Sequence, residues 1–113
     1  RSSAASDVYK RQLYKELASD VRTKEGSAAA YYVLEDVFAG GDMDKAEKAI
    51  FAYSEREPQA YWLAKAFILL GDVYVRKGDN FQARATYQSV ADGYSPADDG
   101  IVDEAKERIA KLN

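Results

Sequence analysis

The chain of 113 residues contains no cysteine and no histidine. Disulfides, thiolate nucleophiles, serine–histidine relays and imidazole–metal sites are therefore excluded within it. The missing cysteine assigns no redox compartment. Proline occurs only twice, at Pro58 and Pro96, and both lie between periodic segments. No apolar run approaches the roughly 18 residues that a membrane-spanning helix requires, so no direct membrane insertion is expected of this segment. No strand-type alternation of apolar and polar residues is present, and no phosphate-cradling glycine loop. Basic residues are outnumbered 16 to 19, a formal charge of −3. That balance argues against nucleic acid as a partner, because its binders gather a basic patch.

What the chain does have is an internal repeat. Gly41-Asp42-Met43-Asp44-Lys45-Ala46-Glu47-Lys48-Ala49-Ile50 matches Gly78-Asp79-Asn80-Phe81-Gln82-Ala83-Arg84-Ala85-Thr86-Tyr87 in its glycine, its aspartate and the alanine pair Ala46 and Ala83, at a separation of 37 residues. Upstream, Val33, Leu34 and Val37 fall opposite Leu70, Gly71 and Tyr74; downstream, Tyr53 falls opposite Val90. Self-similarity at a period of roughly 20–50 residues is the mark of a stacked-repeat architecture. Each unit reads as an apolar helix, a Gly-Asp turn, an alanine-rich second helix and a proline-marked exit. The glycine can end one helix in a left-handed conformation, and the aspartate can cap the next.

With these residues in view, Ala64 to Ala97 resembles a tetratricopeptide repeat. Phe67, Leu70-Gly71 and Tyr74 stand where that family wants a large apolar residue, Leu-Gly and Tyr on its first helix. Ala83, Tyr87 and Val90 match the second helix, and Pro96 follows as the closing proline. Residues 27–59 form a degenerate copy: Gly41, Asp42, Ala46, Ile50, Tyr53 and Pro58 fit, whereas Ala30 and Leu34 reverse the usual sizes. Extra length around Ala60-Tyr61-Trp62 reads as an additional helical turn, with Trp62 filling the gap between units. The resemblance implies an all-α fold, an α-solenoid of antiparallel helix pairs wound as a right-handed superhelix. Residues 13–23 would be the tail of a truncated repeat, 60–97 the best repeat and 98–113 a capping helix.

Ser2 to Gln12 resembles the translation of a transposase sequencing adapter, so residues 1–12 are set aside as a non-native segment. Three basic residues and one acid lie there, and the remainder carries −5. On this reading the gene continued upstream, a leader sequence could not be seen, and the apolar face of Leu13, Leu17 and Val21 would lack its neighbour, leaving an end able to self-associate.

Apolar periodicity predicts helices over 27–39, 43–56, 59–77, 80–93 and 100–112, with a further one from Leu13 to about Thr23. In the last predicted helix Ile101, Ala105, Ile109 and Leu112 form one stripe, and charged residues cover the rest. Asp42, Asp44 and Glu47 crowd one helix start without the spacing of a calcium loop, and capping explains them. Asp98 and Asp99 before Gly100 read the same way. No metal, cofactor or catalytic residue is expected.

In tetratricopeptide repeats the first helix of each pair lines a concave groove. By alignment the groove positions here are Tyr31, Glu35, Phe38, Lys65, Ile68, Asp72, Val75 and Arg76. Only Lys65 matches the basic clamp with which one subclass holds a terminal carboxylate, so that mode is not expected. The resemblance implies a non-catalytic scaffold that holds a peptide or helix of a protein partner, in a style similar to bacterial cell-envelope assembly proteins, placed in the periplasm or the cytoplasm. The competing expectation is an accessory or regulatory region of an enzyme or signalling protein whose catalytic part lies upstream.

Overall fold

The computed structural model describes residues 8–10, 12–13, 18–96 and 98–112, and among them every regular element is helical, with no strand. Five helices carry the fold: α1 (Lys24–Ala39), α2 (Met43–Glu55), α3 (Ala60–Arg76), α4 (Asn80–Gly93) and α5 (Ile101–Lys111). Residues 8–10 and 12–13 are helical as well, and Val8, Tyr9 and Leu13 are exposed. Most of the adapter-like segment lies outside the described residues, as do Tyr14, Leu17 and Ala97.

The turns follow from the repeated Gly-Asp pair. Gly41 and Gly78 take φ of 93° and 81°, a region that suits glycine because it lacks a Cβ. At the end of α3 the Gly78 N–H donates to Val75 O at 3.0 Å and the Asp79 N–H to Tyr74 O at 2.9 Å. That pair of bonds is the Schellman closure, which satisfies carbonyls the helix would otherwise leave open. Asp79 then caps α4 by accepting from the Gln82 N–H at 3.0 Å, and Asp42 caps α2 from the Lys45 N–H at 3.1 Å. The α2–α3 connector is different. Glu57 has φ of 59°, uncommon for a residue with a side chain, and the buried Pro58 follows it. Ala60-Tyr61-Trp62 forms the first turn of α3, the longest of the five helices at 17 residues.

The helix expected over 13–23 is not continuous. Residues 18–23 are turn, bend and coil. Asp20 accepts from the backbone and side chain of Arg22, and Thr23 leaves helical geometry to cap α1 through the Gly26 N–H at 2.9 Å. Short polar side chains that bond to nearby backbone compete with helix in this way. Ser27 fixes the segment from the other side. Its hydroxyl donates to Val21 O and accepts from the Gln59 N–H, while its carbonyl accepts from Tyr53 Oη at 2.8 Å.

Each helix packs on the next, α1 also packs on α3, and α3 on α5. Among the described helices the backbones of α2 and α4 do not come close to each other, nor does that of α1 to α4 or α5. The odd helices thus form one row and α2 and α4 a second, each bridging two of the first. α3 is central and buries eight residues. The second row buries its residues at the repeat spacing: Ala46, Ile50 and Tyr53 on α2, Ala83, Tyr87 and Val90 on α4. Burying side chains of this size contributes about 1.5–3 kcal/mol for each large aliphatic or aromatic one. Gly71 lets α4 come close. A Cβ placed there would lie 2.2 Å from Tyr87 Cε1, so only glycine leaves room for the ring.

Candidate functional site

The row α1–α3–α5 presents a face on which most of the predicted groove residues meet. At one end lies an aromatic cluster. Trp62 sits 5.5 Å from Tyr31, 5.7 Å from Tyr32 and 5.0 Å from Tyr61, measured between ring centroids, mostly edge to face. Such pairs add about 0.5–1.5 kcal/mol beyond the area they bury. Trp62 therefore joins α1 to α3 by packing, and Tyr32 and Tyr61 keep exposed edges. Lys65 stands over the Tyr31 ring with Nζ 5.8 Å from its centroid. The Tyr31 hydroxyl donates to Glu35 Oε2 at 3.1 Å. Burial first, and then the Glu35 charge, push its ionisation well above the ordinary tyrosine range.

The middle of the face is a chain of charges. Lys65 Nζ lies 3.8 Å from Glu104, Glu104 accepts from Arg108 at 2.8 Å, and Arg108 Nε donates to Asp72 at 2.8 Å. Tyr87 reaches the same Asp72 oxygen from α4, its hydroxyl donating at 2.5 Å. One carboxylate thus joins α3, α4 and α5. Burial, followed by the hydrogen bond to Asp72 and the charge of that carboxylate, keeps the Tyr87 phenol protonated far beyond its usual range.

At the other end the face opens into a cavity of about 390 Å³ lined by Phe38, Asp72, Val75, Arg76, Tyr87, Arg108, Lys111 and Leu112. Arg76 stacks on Phe38, with its guanidinium carbon 5.2 Å from the ring centroid. Val75 is 40% exposed despite being aliphatic. The cavity is therefore apolar on its α1 and α3 walls and basic along α3 and α5.

Of the eight residues expected in the groove, Phe38, Asp72, Val75 and Arg76 line this cavity, and Glu35 and Lys65 sit on the same face. Ile68 and Tyr31 do not serve as open contacts. They are 3% and 6% exposed and belong to the hydrophobic core. Sequence reading assigned the charged side of α5 to solvent and so missed Glu104, Arg108 and Lys111, and it placed Leu112 in the packed apolar stripe, whereas Leu112 also lines the cavity. The clue was the order of the helices: α5 follows α4 as α3 follows α2, and α5 packs on α3 as α3 packs on α1.

Two other cavities occur among the described residues. One, of about 400 Å³, lies between α1 and α2 beside Ala18 and Ser19; the other, of about 350 Å³, lies between α3 and α4. Their linings correspond at 37 residues: Ala30 with Phe67, Ala52 with Ser89, Tyr53 with Val90 and Arg56 with Gly93. Each lies between two helices that a Gly-Asp turn connects. The acidic start of α2 is occupied by protein partners, and capping accounts for Asp42 alone. Asp42 caps the helix, and Asp44 and Glu47 accept from Lys77 Nζ at 2.7 and 3.0 Å. No cluster of three metal-ligating side chains occurs among the described residues, and no described helix is long and apolar enough to cross a membrane.

Comparison of the chain with protein-family models, with curated proteins and with solved structures finds no match to any of them.

Proposed function

We propose that this chain is a tetratricopeptide-like α-solenoid module without catalytic activity, and that it holds a peptide or helix of a protein partner against the α1–α3–α5 face. One observation carries the reading: three helices from successive units bring Phe38, Val75, Leu112 and a set of charged side chains to one open cavity. Repeat architectures of this kind build extended binding surfaces from the same helix of each unit, and helix or peptide recognition uses apolar anchor sites flanked by polar groups. The repeated Gly-Asp turns and the matching inter-helix grooves support the solenoid assignment. The similarity of repeat style to envelope-assembly proteins extends the proposal to a scaffolding role in that setting.

A random-peptide library displayed on phage, selected on the full chain, tests it. Selected peptides, titrated into isotopically labelled protein, should shift amide signals of Phe38, Val75 and Leu112. They should leave those of Phe51 and Phe81, exposed on the second row, unmoved. Peptides that map to the second row, or a selection that enriches nothing, overturn the reading.

A further inference from the structure

The chain as a whole is acidic, with a formal charge of −3. The cavity between α1, α3 and α5 is the reverse: Arg76, Arg108 and Lys111 stand there against the single carboxylate of Asp72. That carboxylate is already engaged by Arg108 and by the Tyr87 hydroxyl, and Arg108 is shared with Glu104. Arg76 and Lys111 have no carboxylate partner among the described residues. Arg76 lies over the Phe38 ring instead and is exposed. Beside these two cations lie Phe38, the exposed Val75 and Leu112.

We infer that the cavity takes an acidic peptide segment whose large apolar side chain enters between Phe38, Val75 and Leu112 while flanking carboxylates pair with Arg76 and Lys111. The inference rests on the groove reading and adds the chemistry of the partner to it. Arginine suits the carboxylate because its planar fork binds it with two parallel hydrogen bonds. Opposed patches of charge also speed encounter and set register. The apolar wall of Phe38, Val75 and Leu112 favours a peptide, whose large apolar side chain can fill it, over a phosphodiester backbone.

The same phage selection, read for composition, tests this. Peptides selected on the unaltered chain should be enriched in Glu and Asp on either side of Leu, Ile, Phe or Met. The double variant Arg76→Glu with Lys111→Glu should lose those peptides by tenfold or more in affinity and select basic-flanked ones instead. Both side chains are exposed, so the variant keeps its fold, which circular dichroism checks. The milder pair Arg76→Gln with Lys111→Gln should weaken binding without reversing preference. Binding should also weaken with added salt, as exposed ion pairs are screened. Selected peptides that map to the cavity but show no acidic enrichment overturn the inference and leave the groove reading standing. A labelled single-stranded oligonucleotide that binds the cavity more tightly than any acidic peptide overturns it as well. No enrichment at all overturns both.

Discussion

Substituting Gly71 by Ala probes the contact on which the two-row architecture depends. The added Cβ would lie 2.2, 2.5 and 2.7 Å from Cε1, Cδ1 and Cζ of Tyr87. Separations this short require one group to move. Tyr87 cannot yield easily: it is 2% exposed, and its hydroxyl is tied at 2.5 Å to Asp72, which is itself held by Arg108 at 2.8 Å. Displacing the ring therefore disturbs a polar junction of three helices as well as the core. Overpacking of a well-filled core costs about 1–3 kcal/mol. Against that, alanine is favoured over glycine inside a helix by roughly 0.5–1 kcal/mol. Gly71→Ala should thus destabilise by about 1–2 kcal/mol, and each kcal/mol lowers the Tm by about 4–8 °C in a domain of about this size. Gly93→Ala is the internal control, because nothing lies within 4 Å of a Cβ built there; it should leave the Tm unchanged or raise it slightly. Thermal denaturation followed by circular dichroism measures both. A Gly71→Ala variant as stable as the parent would show that α3 and α4 do not meet in this way.

Three further outcomes follow from the same geometry. Ala83 is fully buried on α4, so Ala83→Leu should cost roughly 1–3 kcal/mol, seen as a lower midpoint in urea. Asp79→Ala removes the acceptor for the Gln82 N–H and should cost about 0.5–2 kcal/mol, whereas Asp79→Asn should largely preserve stability. In alkali, Tyr53 and Tyr74 have ionisations raised to about 12 from 10.0, burial being the first cause for each. Their contribution is complete below pH 10 and is lost as pH rises towards 12, so stability should fall across that window, read as a urea midpoint that drops steadily between pH 10 and pH 12.

Helix type and most helix boundaries were legible because the signals are local. Gly41-Asp42 and Gly78-Asp79 each contain both a stop and a start, and the five predicted helices over 27–112 agree with the structure to within a few residues. The turn over 18–23 was missed because the apolar spacing of Leu13, Leu17 and Val21 outweighed the competing bonds of Asp20 and Thr23 with nearby backbone. For the candidate site, alignment gives the face of a helix but not its depth. Ile68 shares a face with Asp72, yet it lies in the core while the Asp72 carboxylate reaches the cavity. The junction of Asp72 with Arg108 spans 36 residues of sequence, and no local pattern announces it. Only the stacking of α5 beside α3 brings the two charges together and turns the side of α5 that sequence reading gave to solvent into a wall of the groove.

The most direct test of partner binding on the odd-helix face is site-specific photo-cross-linking of a selected peptide. A benzophenone amino acid is placed at Val75, exposed at the cavity, or at Phe81, 84% exposed on the second row. Cross-linked product from position 75 and none from position 81, abolished by excess unlabelled peptide, is the expected result. Cross-links that form from position 81, or equally from both, would contradict a partner surface on α1, α3 and α5.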